Sequence, residues 1–345
     1  MKSRDDMIRF CRESLRLPES VSMEFSQLEG RGSDRTFFRL KWNDKGSAIL
    51  VYYDPKRVEN TYYAEIAVFL FEIDIPAPRL ISQDPAAYFI LMEDLGNNDL
   101  WSFRKTSWEN RRALYQKTLT IVHRLHSFSE KDFPSGRVML MEGFGPDLYR
   151  WERDYFREHF VRNVCGIELE LSFARELESE LSALGERLSR TKRCLVHRDL
   201  QSQNVMIRNE DPFLIDFQGM RIGSPFYDLG SLLCDPYVNF SDEERHELLS
   251  FYYGLSKGDL DQASFWKYFW EASAQRLMQA LGAYGFLGLR KGLKAFLDHI
   301  PAGLRILHRA AAQVASLPHL RELSLACQRA IVQKEKGARA ENQKS

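Results

Sequence analysis

The stretch LVHRDLQSQNVMIRNEDPFLIDFQ, residues 195–218, gathers side chains suited to phosphoryl transfer. His197 and Asp199 form an H-x-D pair, Asn204 follows the aspartate by five residues, and Asp216 ends an apolar run that reads as a strand. Moving a phosphoryl group from a nucleotide to a hydroxyl has two requirements. A carboxylate must orient the attacking hydroxyl and take its proton. Hard oxygen ligands must hold magnesium on the phosphates. A loop, strand, turn and strand in succession bring Asn204 and Asp216 to one end of a ribbon, so one short segment supplies both kinds of group. Three polar residues in a solvated loop are the plainer account. The fixed spacing, and the apolar runs CLVH, NVMIR and FLIDF around it, favour the site.

The elements that must carry these groups are legible in the hydrophobic periodicity. Met7, Ile8, Cys11 and Leu15 recur at helical spacing over 5–16. Runs rich in Phe, Tyr, Val and Ile at 23–28, 36–42 and 48–53 read as strands, separated by turn residues. A helix over 58–72 stops before Pro76 and Pro78, and two more strands follow at 79–82 and 88–92. From Leu95 the pattern is mostly helical, over 109–129, 146–164, 168–190, 242–255, 262–284 and 301–316. The 194–217 ribbon interrupts it. The expectation is an α+β chain of two lobes. A small N-terminal lobe, 1–94, carries a leading helix, a five-stranded sheet and one helix. A larger, mostly helical lobe spans 95–332, and a polar tail, 333–345, is expected to fray.

At 345 residues the length also fits two domains, at roughly 150 residues each. Lys plus Arg and Asp plus Glu both number 48, so global charge selects neither a nucleic acid nor a membrane surface as partner. The odd count of five cysteines, none in a C-x-x-C spacing, fits scattered thiols in a reducing compartment. MKSRDDMIRF lacks the apolar core of a signal peptide. The longest uncharged apolar stretch, Leu277 to Leu289, is 13 residues against the ~20 that a bilayer requires. A cytoplasmic protein is expected, a monomer or weak dimer, with a small molecule as partner.

On these motifs the chain resembles the aminoglycoside phosphotransferase/choline kinase superfamily, whose fold is that of the protein kinases. Carried over residue by residue, the resemblance makes Asp199 the catalytic base and Asn204 and Asp216 the magnesium ligands. It implies that His197 packs and hydrogen-bonds the loop. Asp228, in PFYDLGSLL, would brace that loop from downstream; as a helix N-terminal acid it would also suit backbone donors. ATP (or GTP) and Mg2+ are the implied cofactors. Within the superfamily the likeness is to the anomeric kinases of cell-wall amino sugars, the N-acetylmuramate/N-acetylglucosamine 1-kinases. It rests on GSDRTFFRL (32–40), MEDLG (92–96), HRDLQSQNVMI…IDFQ (197–218), YDLGSLLCDPYVNF and SAQRLMQALGAYGFL (273–287), and spans about 20–320.

Further candidates follow from the kinase pattern. Gly30, Gly32 and Ser33 lie between the first two strands, where backbone N–H groups can approach phosphate. Arg35 stands where the third glycine of G-x-G-x-x-G would be. The third strand, AILVYYD, has Val51 at the place of the usual phosphate-binding lysine. Glu65 matches that lysine's usual partner, and Arg35, Arg39, Lys56 or Arg57 could stand in for the missing cation. Met92, Glu93 and Asp94, at the end of FILMEDLG, could offer backbone groups to an adenine edge, with Ile49, Ile90 and Ile215 as its apolar surface. His123 and His126 read as packing and capping on a long helix. Asp216 and Asp228 are only 12 residues apart, and A-P-E is absent, so there is little room for a peptide platform. That favours a small acceptor. Aminoglycoside or choline/ethanolamine acceptors, and a nucleotide-binding pseudokinase, are the alternatives.

Overall fold

Ser3 opens the first helix with a reciprocal cap. Its hydroxyl accepts the Asp6 N–H, and the Asp6 carboxylate accepts the Ser3 N–H. The computed structural model describes residues 3–28, 35–43, 46–256 and 260–342. In chain order the elements are α1 (Arg4–Leu15), β1 (Met23–Gln27), β2 (Thr36–Trp42), β3 (Gly46–Tyr52), α2 (Tyr63–Glu72), β4 (Leu80–Asp84) and β5 (Phe89–Glu93). There follow α3 (Trp108–His126), α4 (Pro146–Phe156), α5 (Leu171–Ser189), β6 (Cys194–Val196), β7 (Val205–Arg208), β8 (Asp211–Leu214) and β9 (Arg221–Gly223). The last are α6 (Pro225–Leu233), α7 (Asp242–Leu255), α8 (Gln262–Gly285), α9 (Ile300–Ala312) and α10 (Pro318–Asn342). The chain divides into two compact units, neither of them one run of sequence. Unit 1 draws on 1–102, 134–141 and 203–220, and unit 2 on 103–133, 142–202 and 221–345.

In unit 1 the five expected strands form one antiparallel sheet in the order β1-β2-β3-β5-β4. Period-two alternation decides its two faces. Phe38, Leu40, Ala48, Leu50, Phe89 and Leu91 pack with Met7 and Cys11 of α1. The alternate residues Ile49, Val51, Ile90 and Met92 take the other face, with Ile49 opposite Met92 and Val51 opposite Ile90. The β7–β8 hairpin, which interrupts the helical pattern in the sequence, belongs to this unit. Its Ile207 N–H donates to Asn98 O and its Leu214 N–H to Pro76 O.

Unit 2 is helical around α8, whose residues 271–278 are all buried. Two close approaches set its packing. A Cβ on Gly230 of α6 would meet Ser273 Cα at 2.9 Å, and one on Gly285 of α8 would meet His159 O at 2.2 Å. Both contacts therefore require glycine. Beyond α4 the chain continues as a π-helix, Arg157–Cys165, where the periodicity gives one unbroken helix. The short α6 and the long α10 are not resolved by periodicity alone. α10 extends to Asn342, so the tail expected to fray is helical for most of its length; Gln, Lys, Glu, Arg and Ala are all good helix formers. Among the described residues no helix is long and apolar enough to cross a membrane.

Candidate active site

In unit 2, β6 ends at Val196 and the chain turns through His197–Ser202. β6 is fixed on both sides: Cys194, Leu195 and Val196 pair with Gly223, Ile222 and Arg221 of β9, and the Leu195 N–H donates to Phe128 O. The turn then places Arg198 at φ 76°, a left-handed backbone that side chains other than glycine adopt rarely. Such a conformation persists only where its surroundings hold it. Asp228, wholly buried, does so: Oδ2 accepts the His197 N–H at 2.7 Å and Oδ1 the Arg198 N–H at 2.8 Å. His126, at the end of α3, contacts the same carboxylate through Nε2 at 3.1 Å, and its Nδ1 meets the Tyr252 hydroxyl at 2.7 Å. His126 thus supports Asp228, which is more than packing.

A second buried carboxylate holds the other end of the turn. Asp235 Oδ2 accepts the Ser202 N–H at 2.8 Å and the Ser202 hydroxyl at 2.5 Å, and Oδ1 accepts the Tyr237 N–H at 3.0 Å. Burial pushes the Asp235 carboxyl up to about 6, against the opposing pull of those hydrogen bonds. In the sequence Asp235 falls within YDLGSLLCDPYVNF, with no role of its own assigned. It lies seven residues after Asp228, just past the C-terminal end of α6. Asp199 lies between the two anchors and is part-exposed, its Oδ1 accepting Arg276 Nη2–H at 2.7 Å. Behind the turn, buried Glu152 accepts the Tyr227 hydroxyl at 2.6 Å and the Gln275 amide at 2.9 Å. Burial foremost pushes its carboxyl up.

In unit 1, Asn204 and Asp216 stand at the open end of the β7–β8 hairpin. Val205 pairs with Leu214, and one step beyond, the Ile215 N–H donates to Asn204 O at 3.0 Å. Asp216 then takes a left-handed conformation, φ 64°, which turns the chain out of the strand. Arg35 donates to Asp216 Oδ1 and, at 2.8 Å, to Gln218 Oε1. The Gln218 amide donates to Asp216 Oδ1 at 3.1 Å. A carboxylate and an amide oxygen are hard donors, and their number suits magnesium, which keeps waters and binds proteins through one or two oxygens plus phosphate.

The remaining nucleotide candidates fare differently. Gly30, Gly32 and Ser33 lie outside the described residues. Of the four basic residues that could replace the missing lysine, Arg35 is the one on Asp216. Arg39 is bound to Asp94 and Asn97, and Arg57 lies 3.7 Å from Glu59. Glu65 is exposed, and its Oε2 accepts the Met139 N–H at 3.3 Å. From α2 it is Tyr63, not Glu65, that reaches the turn after Asp216. Its ring stacks on Phe217 at 4.5 Å, and its hydroxyl donates to Met92 Sδ at 2.9 Å. The Glu93 N–H donates to Arg79 O, and its side chain accepts Arg208 at 2.6 Å. Asp94 Oδ1 accepts Arg39 Nη2–H at 3.0 Å and the Gly96 N–H at 2.9 Å.

Residues 24–266 match the family described as "Phosphotransferase enzyme family". A Neisseria meningitidis protein named N-acetylmuramate/N-acetylglucosamine kinase is 25% identical over 291 residues, 83% of this chain and 85% of that one. One of the same name from Pseudomonas aeruginosa is 24% identical over 296 residues, covering 84% and 85%. Among solved structures, an ethanolamine kinase from Plasmodium vivax superposes with a TM-score of 0.61 at 14% identity, over 91% of this chain and 92% of that one. That likeness shows a shared protein-kinase-like fold.

Proposed function

Because the chain belongs to the phosphotransferase enzyme family, we propose that it transfers the γ-phosphate of ATP to a sugar hydroxyl, the anomeric hydroxyl of N-acetylmuramate or N-acetylglucosamine. The observation that carries the phosphotransfer reading is the turn His197–Ser202, held by Asp228 at one end and Asp235 at the other, with Asp199 between them. A solvated surface loop does not require two buried carboxylates to hold it. The acceptor reading rests on the two amino-sugar kinases that match more than four fifths of the chain.

In this reading Asp199 orients the acceptor hydroxyl and takes its proton as the new O–P bond forms and the bond to the leaving nucleoside diphosphate breaks. Asn204 and Asp216 would hold magnesium, which would supply charge neutralisation on the phosphates. Arg35 is the cation we assign in place of a third-strand lysine. Asp228 and Asp235 keep the turn in the conformation that presents Asp199.

The two other acceptor classes find less support. A polycationic acceptor needs acids that are available, but Glu244 is paired with Arg111, Glu247 with Arg112, and Asp242 with Arg245 and Arg309. Asp261 caps α8. A quaternary ammonium needs a cage of rings. Tyr237 instead packs edge-on against Tyr284 and His299, Phe240 packs on Trp108 and Tyr115, Trp266 stacks on His246, and Arg309 covers Trp270. The test is ATP turnover with a panel of amino sugars, aminoglycosides, choline and ethanolamine, with Asp199→Asn as blank and phosphorus NMR of the product. Anomeric phosphate on an amino sugar is expected. Phosphate on a 6-hydroxyl, or transfer to aminoglycosides alone, would overturn the acceptor reading.

A further inference from the structure

The Arg276 guanidinium, 5% exposed on α8, spends all three of its nitrogens. Nη2 donates to Asp199 Oδ1 at 2.7 Å, Nε to Ser231 Oγ at 3.2 Å, and Nη1 to Gln279 Oε1. We infer that Arg276 is the positioning residue for Asp199: it fixes the carboxylate's direction, and helix α6 aims it through Ser231. The inference rests on the reading that Asp199 takes the acceptor's proton.

Three features of the fold converge on this. Gln279 and Ser231 are neutral, so among the described residues Asp199 is the one anion directly hydrogen-bonded to this buried cation, and a buried charge needs such a partner. Burial works to lower the guanidinium's pKa, yet the Asp199 charge foremost among its neighbours carries the net shift upward. Next, Ser231 lies one helical turn from Asp228. One helix therefore holds the turn's backbone at Asp228 and orients, through Ser231, the side chain that grips Asp199. Finally, the approach of α6 to α8 at Gly230 and Ser273 is what brings Arg276, one turn beyond Ser273, within reach. A planar fork held at three points cannot swing, so the Asp199 rotamer is set before any substrate arrives. Pre-set geometry is worth rate: a displacement of about 1 Å can cost on the order of 10²-fold.

The test uses the full chain and a measured acceptor, with Arg276→Ala and Arg276→Lys made alone and on Asp199→Asn. For Arg276→Ala, kcat should fall on the order of 10²-fold while KM for the nucleotide stays unchanged. Lysine, or methylguanidinium added to the alanine variant, should restore part of the loss. On the Asp199→Asn background Arg276→Ala should cost little more, since the two act as a unit. Ser231→Ala is a milder variant should Arg276→Ala not fold, and a smaller loss in kcat is expected from it. Unchanged kcat in folded Arg276→Ala or in Ser231→Ala, or a full multiplicative loss in the double variant, overturns the inference. Wild-type kcat in Asp199→Asn alone overturns the base reading instead, so the two failures are separable.

Discussion

Asparagine at position 199 keeps the shape of the aspartate and removes its capacity to take a proton. Asp199→Asn should therefore lose ~10²–10⁴-fold in kcat, with nucleotide affinity by calorimetry nearly unmoved and Tm lowered, because the buried Arg276 guanidinium loses its anionic partner. A kcat close to wild type would take the base role from Asp199. Asp216→Ala should abolish magnesium-nucleotide turnover, and Asn204→Ala should lower it and raise the magnesium requirement; normal activity of Asp216→Ala at ordinary magnesium would remove it from the metal site. Asp235 makes a pH prediction. Its carboxyl is raised from 3.8 to about 6 in the folded chain, so the folded state holds that proton more tightly than the unfolded one. The resulting stabilisation is full below about 4 and lost as pH rises through about 6. Relative to Asp235→Asn, the wild-type Tm should fall across that window and then level off. Parallel melts from pH 4 to 7 decide it, and a flat difference would refute the shift. At this scale the motif residues were legible because their types and spacing are local. The roles of Asp235, Arg276 and Tyr63 were not, although the first two lie in quoted segments, because what singles them out is a partner far along the chain: Ser202, Asp199 and Phe217.

Among elements, α6 does most to shape the catalytic turn. Asp228→Ala would leave the His197 and Arg198 N–H groups without their acceptor, at about 1–3 kcal/mol for each. Both Tm and kcat should drop, and a variant with wild-type Tm would mean that the turn holds itself. On α8, Gly285→Ala forces a Cβ onto backbone, which cannot rotate away as a side chain can. Overpacking of this kind costs about 1–3 kcal/mol, occasionally more, and denaturant titration should show a lowered midpoint. Strand alternation made the five-stranded sheet legible to within two residues at each strand end, with β2 at 36–42 in both sequence and structure. Helix α6 escaped because PFYDLGSLL is buried on every side, which erases the amphipathic stripe. The π-helical continuation of α4 escaped because an inserted residue in the ladder leaves little trace in hydrophobicity.

At the scale of the molecule, the two-unit organisation was legible as a change from strand to helix periodicity. The membership of the β7–β8 hairpin was not, since its contacts are with residues more than a hundred positions earlier: Pro76 and Asn98 accept its N–H groups, Glu93 pairs with Arg208, and Tyr63 stacks on Phe217. A fragment ending at residue 102 lacks all of these. It should melt without a cooperative transition by circular dichroism, and a sharp melt would show that the sheet and its two helices suffice.

The same interleaving bears on how the chain is made. Residues 1–102 leave the ribosome first, but the hairpin that completes their unit begins only at residue 203. At roughly 5–20 residues per second, that interval lasts on the order of 5–20 s. Throughout it, the carbonyls of Pro76 and Asn98 and the ring of Tyr63 stand without the partners they have in the finished protein. During translation the nascent sheet therefore has an unfinished side, open to a holding chaperone or to the equivalent side of another chain on the same polysome.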